Sequence, residues 1–164
     1  MLAACLAWAA PVALAQEITK PKRVLVLHSY QKGVPWDDLV SQGLRAVLGA
    51  PEAGPIQINE EYLDLARHPG AAHVELLNQL LRSKYSAPRV DLVLATAVEA
   101  SRYLLQNGAA VFSGVPMAIL DREEQATLRP ALPFHMTSLF AGEDAAGTLK
   151  AALGLLPQTR QVFV

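Results

Sequence analysis

The sequence is poor in cysteine and in net charge. Cys5 is its one cysteine, and 14 basic side chains stand against 15 acidic ones, giving a formal net charge of −1 over 164 residues. A single thiol excludes an intrachain disulfide framework and a cysteine-rich zinc site. The balanced charge gives no reason to expect nucleic acid or an anionic membrane surface as a partner.

Glycine-rich phosphate loops are also missing. The sequence contains no GxGxxG and no GxxxxGK[ST] motif, and the segment from His28 to Trp36 holds one glycine. Dinucleotide and P-loop sites need those glycines to bring the backbone close to phosphate. A phospho-acceptor domain is excluded as well, because His28-Ser29 and Thr96-Ala97 stand where acidic residues are required. The sequence therefore predicts no cofactor.

The first fifteen residues are apolar and small, and they end in Ala13-Leu14-Ala15. This pattern resembles a secretory signal peptide cleaved after Ala15, and it is too short for a membrane span. A buried N-terminal helix and a lipoprotein processing box at Leu2–Cys5 are the alternatives. The pattern predicts an exported protein, either free or lipidated.

From residue 16 onward, apolar runs with strand character alternate with helix-period segments. Strands are predicted at 23–28, 56–62, 90–95, 115–120 and 134–139, and helices at 36–48, 71–84, 98–106 and 143–156. Such alternation predicts a three-layer α/β fold, with a mostly parallel sheet and helices on both faces. Residues 16–160 would form one such domain, and 161–164 begin another strand.

The helical periodicity also predicts which side chains face the core. Residues predicted to face inward are Leu39, Val40, Gly43, Leu44, Val47 and Leu48 in the first helix; Val74, Leu77, Leu80 and Leu81 in the second; and Ala145, Leu149, Ala152, Leu153 and Leu156 in the last. Thr96 is predicted to cap the third helix, and Asn107-Gly108 to end it.

Two kinds of reactive site can be considered. Ser29 beside His28 could serve a serine hydrolase, but neighbours in a strand point to opposite faces and no GxSxG elbow occurs. A metal site could draw on His68, His73, Glu60, Glu61 and Asp64. The five-residue spacing of the histidines does not place them on one helical face, so surface histidines are the favoured interpretation. The sequence thus predicts no catalytic residue and no metal.

Polar and aromatic residues follow successive strands, at the ends that share one edge of a parallel sheet. Those ends are where open α/β sheets hold their ligands. Hydroxyls, aromatic faces and a helix N-terminus at Thr96 suit a small polar molecule. The predicted ligand-binding residues are Ser29, Tyr30, Trp36, Tyr62, Thr96, Glu99 and Asp121.

Several segments together resemble a known family. The segments are Val24-Leu25-Val26-Leu27-His28-Ser29-Tyr30 with Pro35-Trp36, Glu61-Tyr62-Leu63-Asp64, Asp91-Leu92-Val93-Leu94-Ala95, Phe112-Ser113-Gly114-Val115-Pro116, Gly147-Thr148-Leu149 and Leu155-Leu156-Pro157. In this order they are similar to the periplasmic substrate-binding proteins of the ABC-transporter type, which also serve as extracytoplasmic sensor domains of bacterial histidine kinases and diguanylate cyclases.

The resemblance implies a type I periplasmic-binding fold, with residues 16–160 as the first lobe and 161–164 as the start of the second. The ligand would be held between the two lobes, with hinge closure as the signal. The resemblance also implies a periplasmic location, free or as part of a membrane-tethered sensor, a small-molecule solute, and either an ABC permease or a covalently linked kinase or cyclase module as partner. Where such sequences often have a Ser-Asp-Asp-Asn-like run, this chain has Thr96-Ala97-Val98-Glu99. The identity of the ligand is therefore left open.

The sequence predicts an exported, non-enzymatic lobe that binds a small solute for transport or signalling. Two alternatives stay open beside it. One is a periplasmic serine hydrolase that uses Ser29, and the other is a module that docks a partner protein.

Overall fold

The computed structural model of the protein describes residues 20–87, 89–121, 132–133, 135–140 and 145–161. The elements in chain order are β1 (Lys22–His28), α1 (Pro35–Leu48), a 3-10 turn (Pro51–Ala53), β2 (Ile56–Tyr62), α2 (Ala71–Tyr85), β3 (Leu92–Thr96), α3 (Ala97–Val111), β4 (Met117–Asp121), β5 (Met136–Phe140) and α4 (Ala145–Leu155). The predicted signal peptide and residues 162–164, the predicted start of a second lobe, lie outside the described residues.

The five strands form one sheet in the order β2-β1-β3-β4-β5, and every neighbouring pair is parallel. Strand β1 lies inside the sheet, next to the edge strand β2, and is buried from Val24 to His28, which explains why its sequence is almost continuously apolar. The predicted three-layer α/β fold is confirmed. Strand β2 forms one edge of this sheet, and β5 forms the other.

Two apolar clusters cover the two faces of the sheet. The larger contains Leu25, Leu27 and residues of α2 and α3, whereas the smaller contains Val24 and Val26 with Leu44 and Leu48 of α1. Successive residues of β1 therefore point to opposite layers, as the two-residue period of a strand requires. Helix α1 packs on one face, and α2 and α3 pack on the other.

The sequence predicts more core-facing residues in α1 than the structure shows. Leu44 and Leu48 pack against the core, but Leu39 and Val47 are 65% and 69% exposed, and Gly43 is exposed as well. The inward line instead runs through Asp37, Ser41, Leu44 and Leu48, at spacings of four, three and four residues. The apolar pattern was misleading because the core-facing positions in the first two turns of α1 hold the polar residues Asp37 and Ser41.

The other helices show similar corrections. In α2, Leu77 and Leu81 are buried and Val74 packs on the core, but Leu80 is 52% exposed. In α4 and just after it, the residues predicted to face inward that are instead exposed are Leu149, Ala152, Leu153 and Leu156.

Helix α3 does not end at Asn107-Gly108 but continues to Val111. Gly108 lies inside the helix because α3 approaches β4 closely there. A Cβ atom built on Gly108 would stand 2.7 Å from Met117 Sδ and 3.0 Å from Leu104 Cδ1. This glycine serves helix–strand packing rather than chain termination.

Candidate functional site

The parallel register brings the strand ends that carry or precede most of the predicted ligand-binding residues to one edge of the sheet. His28 stands opposite Tyr62 of β2 and Thr96 of β3, and Thr96 stands opposite Leu120 of β4. The chain leaves β1 toward α1 on one face and leaves β3 toward α3 on the other. In doubly wound sheets, this divergence of neighbouring connections opens a crevice at the carboxyl ends of the two strands. The candidate site is this edge, centred on the ends of β1 and β3.

Ser29 ties the two sides of the crevice together. Its side chain is fully buried, and its hydroxyl donates to the Thr96 carbonyl at 2.8 Å and accepts from the Ala100 N–H at 2.8 Å. The serine after β1 thus caps the first turn of α3 from a distant part of the chain. This arrangement makes Ser29 a support of the crevice in the structure.

Thr96 occupies the N-cap position of α3, but its side chain makes no capping hydrogen bond. The prediction that the Thr96 side chain caps α3 is wrong, because its hydroxyl points to β1 instead. It donates to the Leu27 carbonyl at 3.4 Å and lies 3.1 Å from His28 Nδ1. The following residue, Ala97, has a φ of 64°. A non-glycine residue in this left-handed region marks a tightly constrained strand-to-helix turn.

Three aromatic side chains stand half-buried at the edge. Tyr30 follows Ser29 directly, Trp36 is the second residue of α1, and Tyr62 ends β2. The Tyr62 ring stacks on the buried His28 ring, with centroids 4.7 Å apart and planes 18° from parallel. Partly exposed aromatic faces of this kind suit contact with a small organic molecule.

Glu99 and Asp121 are placed differently. Glu99 lies in the first turn of α3 and lines a cleft of about 120 Å³ together with Leu65, Arg102 and Tyr103. One of its carboxylate oxygens, Oε2, is buried with no hydrogen-bond partner among the described residues. Asp121 ends β4 beside Phe140 of β5, and its side chain lies outside the described part of the structure, as does Arg122.

Beneath the edge lies a polar cluster that the sequence analysis did not find. We call it the His28 cluster: His28, Asp37, Ser41, Glu60, Tyr62 and Thr96. His28 and Asp37 have fully buried side chains, and His28 Nδ1 lies 3.3 Å from Asp37 Oδ1. This contact has the distance of an ion pair, but neither Asp37 oxygen has a hydrogen-bond partner among the described residues. The cluster joins β1, β2, β3 and α1 at one point.

Glu60 lies on the far side of the His28 ring. Its Oε2 lies 3.7 Å from His28 Nε2 and accepts hydrogen bonds from Ser41 and Tyr62, while Arg45 pairs with Oε1 at 2.7 Å. Burial pushes the pKa of the Glu60 carboxyl up, but the Tyr62 hydrogen bond and the Arg45 charge outweigh it, so this pKa is lowered. Burial and the same hydrogen bond raise the pKa of Tyr62. Glu60 is thus held as a carboxylate, and Tyr62 as a neutral phenol.

A hint of this cluster was present in the sequence. Asp37 and Ser41 align with Leu44 and Leu48 on one helical line, which places an acid and a hydroxyl on the core side of α1. An acid in the first turn of a helix is common, because the helix dipole favours it there, so Asp37 alone gives no sign of burial. A buried histidine one residue before Ser29 completes the pattern.

The contacts of two serines bear on the hydrolase alternative. Ser41 Oγ, His28 and Asp37 form a line with contacts of 3.4 and 3.3 Å, similar in outline to a catalytic triad. However, Ser41 lies in the middle of α1 and its hydroxyl donates to Glu60. The Ser29 hydroxyl is engaged by the Thr96 carbonyl and the Ala100 N–H. Both hydroxyls are thus occupied by contacts within the described part of the chain.

The five residues considered for a metal are spread over β2, the following loop and the first turn of α2. The rings of His68 and His73 approach to 5.4 Å, but His73 Nε2 contacts the Leu63 carbonyl at 2.8 Å and His68 lies 3.7 Å from Asp64. Glu61 instead pairs with Lys84 at 2.5 Å. Among the described residues, no three potential ligands gather into a site for a metal ion.

The fold and the edge together define a doubly wound α/β domain with an aromatic and polar crevice at its strand ends. No family model matches the sequence, and no curated protein or solved structure is significantly similar to it. Within the described ranges, no helix has both the length and the apolar character to cross a membrane.

Proposed function

We propose that this chain is the first lobe of a two-lobed, exported solute-binding protein, used either for ABC-type transport or as the sensor input of a histidine kinase or diguanylate cyclase. The observation that supports this proposal is the crevice between the ends of β1 and β3, where the chain leaves the two strands toward opposite faces of the sheet. There Ser29 and Thr96 fix the backbone while Tyr30, Trp36 and Tyr62 stand half-buried beside them.

The difference in burial between the polar and the aromatic groups at this edge supports binding rather than catalysis. Fully buried polar groups hold the strand ends, and partly exposed aromatic groups are left to face a ligand. Ligand sites in general combine apolar or aromatic walls with a few fixed polar groups. A second lobe closing on this edge would bury a small solute between the two.

The test is a thermal-shift screen of small organic solutes on the protein with both lobes. We expect at least one solute to raise the melting temperature in a concentration-dependent way, because a ligand that binds only the folded state stabilises it. Trp36→Ala and Tyr30→Ala should reduce that shift. Leu76→Ala, which removes an exposed leucine of α2, should leave it unchanged.

Two results would contradict the proposal. One is a complete screen without any concentration-dependent shift. The other is a solute whose shift is the same in both aromatic variants and in the wild type. Covalent labelling of Ser29 by a serine-directed probe would instead favour the hydrolase alternative.

A further inference from the structure

The side of the sheet where the strands begin, which we call the amino edge, carries a concentration of positive charge. The chain as a whole is nearly neutral, with a formal net charge of −1. A cleft of about 590 Å³ lies at the amino edge, and its size suits a small ligand. Four of its lining side chains are basic and one is acidic. The cleft is lined by Lys20, Pro21, Lys22, Arg23, Arg89 and Asp91.

The parallel sheet brings these side chains together from two distant parts of the chain. Lys22 and Arg23 begin β1, and Asp91 directly precedes β3, the strand that pairs with β1. The Asp91 N–H donates to the Arg23 carbonyl, and the Arg23 N–H donates to Asp91 Oδ2, both at 2.8 Å. The two strand starts that carry the cleft are therefore held together by hydrogen bonds.

The guanidinium of Arg89 is held in place from one side. Its Nη2 donates to the Ser113 carbonyl at 2.6 Å, in the turn before β4. Gly114 in the same turn has a φ of 69°, and a Cβ atom built on it would stand 3.0 Å from this nitrogen. The turn thus leaves room for the guanidinium. A guanidinium has five N–H donors, so this single contact leaves donors of Arg89 for a ligand.

The basic side chains of the cleft have no anionic partner in the described part of the chain. The described lysines and arginines that form ion pairs are Arg45, Arg67 and Lys84, and none of the three lines this cleft. The carboxylate of Asp91 accepts the backbone N–H of Arg23 rather than a side-chain cation. Cations gathered around a concave surface add to one another's potential and attract an anion.

We propose that the amino-edge cleft binds a phosphate-bearing anion, with Arg89 and Lys22 as its main contacts. Arginine binds phosphate through two parallel N–H groups, and lysine binds it as a point charge. The excess of basic over acidic side chains favours an anion with two or more negative charges. The phosphate can belong to a free solute or to the headgroup of an anionic lipid. This site lies opposite the solute crevice and does not rest on the proposed function.

Inorganic pyrophosphate is the probe for a free phosphate ligand. In an NMR titration of the labelled protein at low salt, we expect the amide signals of Arg23, Asp91 and Gly114 to shift in a saturable way. Sodium chloride should weaken this binding, because dissolved ions screen the attraction between exposed charges.

Variants that each change one charge test which residues hold the anion. Arg89→Gln should weaken pyrophosphate binding about tenfold, the effect of losing a charge-assisted hydrogen bond. Lys22→Gln should weaken it about threefold, because an exposed ammonium group contributes less. Lys32→Gln removes an exposed basic group beyond the carboxyl end of β1 and should leave the affinity nearly unchanged.

Asp91→Asn gives the opposite change. It removes the one negative charge of the cleft and keeps an oxygen that can accept the Arg23 N–H, so it should tighten pyrophosphate binding. This variant and Lys22→Gln also keep the proposal testable if Arg89→Gln unfolds, because neither alters the contact of Arg89 with Ser113. Urea unfolding of each variant shows whether it is folded.

Sedimentation with lipid vesicles tests the headgroup as the source of the phosphate. Binding to vesicles of phosphatidylglycerol but not of phosphatidylcholine, weakened by Lys22→Gln and not by Lys32→Gln, would assign the site to an anionic lipid. Pyrophosphate binding without vesicle binding would assign it to a free solute.

Binding of neither probe would overturn the proposal, and so would equal effects of Lys22→Gln and Lys32→Gln on both probes. A failed screen for solutes at the carboxyl edge would count against the proposed function alone, because these probes address the opposite edge of the sheet.

Discussion

At the scale of single residues, the carboxyl edge depends on hydrogen bonds between parts of the chain distant in sequence. The Ser29 hydroxyl serves a helix that begins 68 residues later, at Ala97. Local rules could not find this contact. Thr96 is the residue that sequence rules choose as the cap, but its hydroxyl faces β1 and His28. Long-range capping has no local sequence signature, because the partner is defined only once β1 and β3 are paired.

We expect Ser29→Ala to lower the free energy of unfolding by about 1–3 kcal/mol, the range for leaving a buried polar group without its partner. Ser101→Ala is the matched control. Ser101 is equally buried and lies in the same helix, but its hydroxyl donates to the Ala97 carbonyl one turn earlier. That loss should cost under about 1 kcal/mol, because such back-bonding adds little to a helix.

Urea unfolding of the three proteins checks this expectation. The ranking, with Ser29→Ala clearly less stable than Ser101→Ala, is the informative result. Equal losses in the two variants would mean that the Ser29 bridge adds nothing beyond ordinary burial of a hydroxyl.

At the scale of elements, most of the fold could be predicted from the sequence. The β2 strand agrees with its predicted bounds, and the other described strands and helices are shifted by a few residues, apart from the longer end of α3. Alternating periodicities are a strong signal, since each element buries a face. Which side chains of a helix face inward was harder to predict. Leu39 and Val47 are apolar and exposed, whereas Asp37 is charged and buried.

The candidate site was predictable only in outline. Its location followed from the rule that strand ends in parallel sheets share one edge. Its inner structure did not, because the ion pair of His28 with Asp37 depends on how α1 docks on the sheet. A polar residue on the inward line of a helix can be recognised in a sequence, but its partner cannot.

Two glycines within helices show when packing between a helix and its neighbours outweighs helix propensity. Gly43 in α1 is exposed, and a Cβ added there would meet nothing within 4 Å. Gly43→Ala should therefore stabilise the protein by about 0.5–1 kcal/mol. Gly108 in α3 differs, because its added Cβ would stand 2.7 Å from Met117 Sδ. We expect Gly108→Ala to destabilise the protein, since overpacking costs about 1–3 kcal/mol and exceeds the gain in propensity.

Chemical denaturation of both variants gives the comparison directly. The sign is the decisive quantity: Gly43→Ala should shift the midpoint upward, and Gly108→Ala should shift it downward. A stabilised Gly108→Ala variant would show that the Met117 side chain moves aside at little cost, and that α3 does not need its glycine.

At the scale of the whole molecule, the packing of α2 makes the stability of the protein depend on pH in the alkaline range. Burial is the main cause that raises the pKa of Tyr103, which lies at about 12. The Tyr103 hydroxyl donates to Asn78 at 2.7 Å beneath α2. Burial and a hydrogen bond to Glu61 likewise raise the pKa of Tyr85, at the end of the same helix. The contacts that pack α2 against the rest of the protein thus keep both phenols neutral.

The sign of the effect follows from proton binding. Above about pH 10, tyrosines of the unfolded chain lose their protons while these two keep theirs, so the unfolded state gains stability relative to the folded state. We expect the free energy of unfolding to fall from about pH 10 upward, by at most about 1.4 kcal/mol per pH unit for each phenol. Tyr103→Phe and Tyr85→Phe should each make this fall shallower, whatever they do to stability at pH 8.

Arg82→Gln provides the opposite change. The charge of Arg82 lowers the pKa of Tyr103, so its removal should keep the phenol neutral to higher pH and extend the alkaline loss of stability. Urea midpoints between pH 8 and about pH 11.5 measure all four proteins. If the slope in both phenylalanine variants matched that of the wild type, the alkaline sensitivity would have to come from groups outside the α2 contacts.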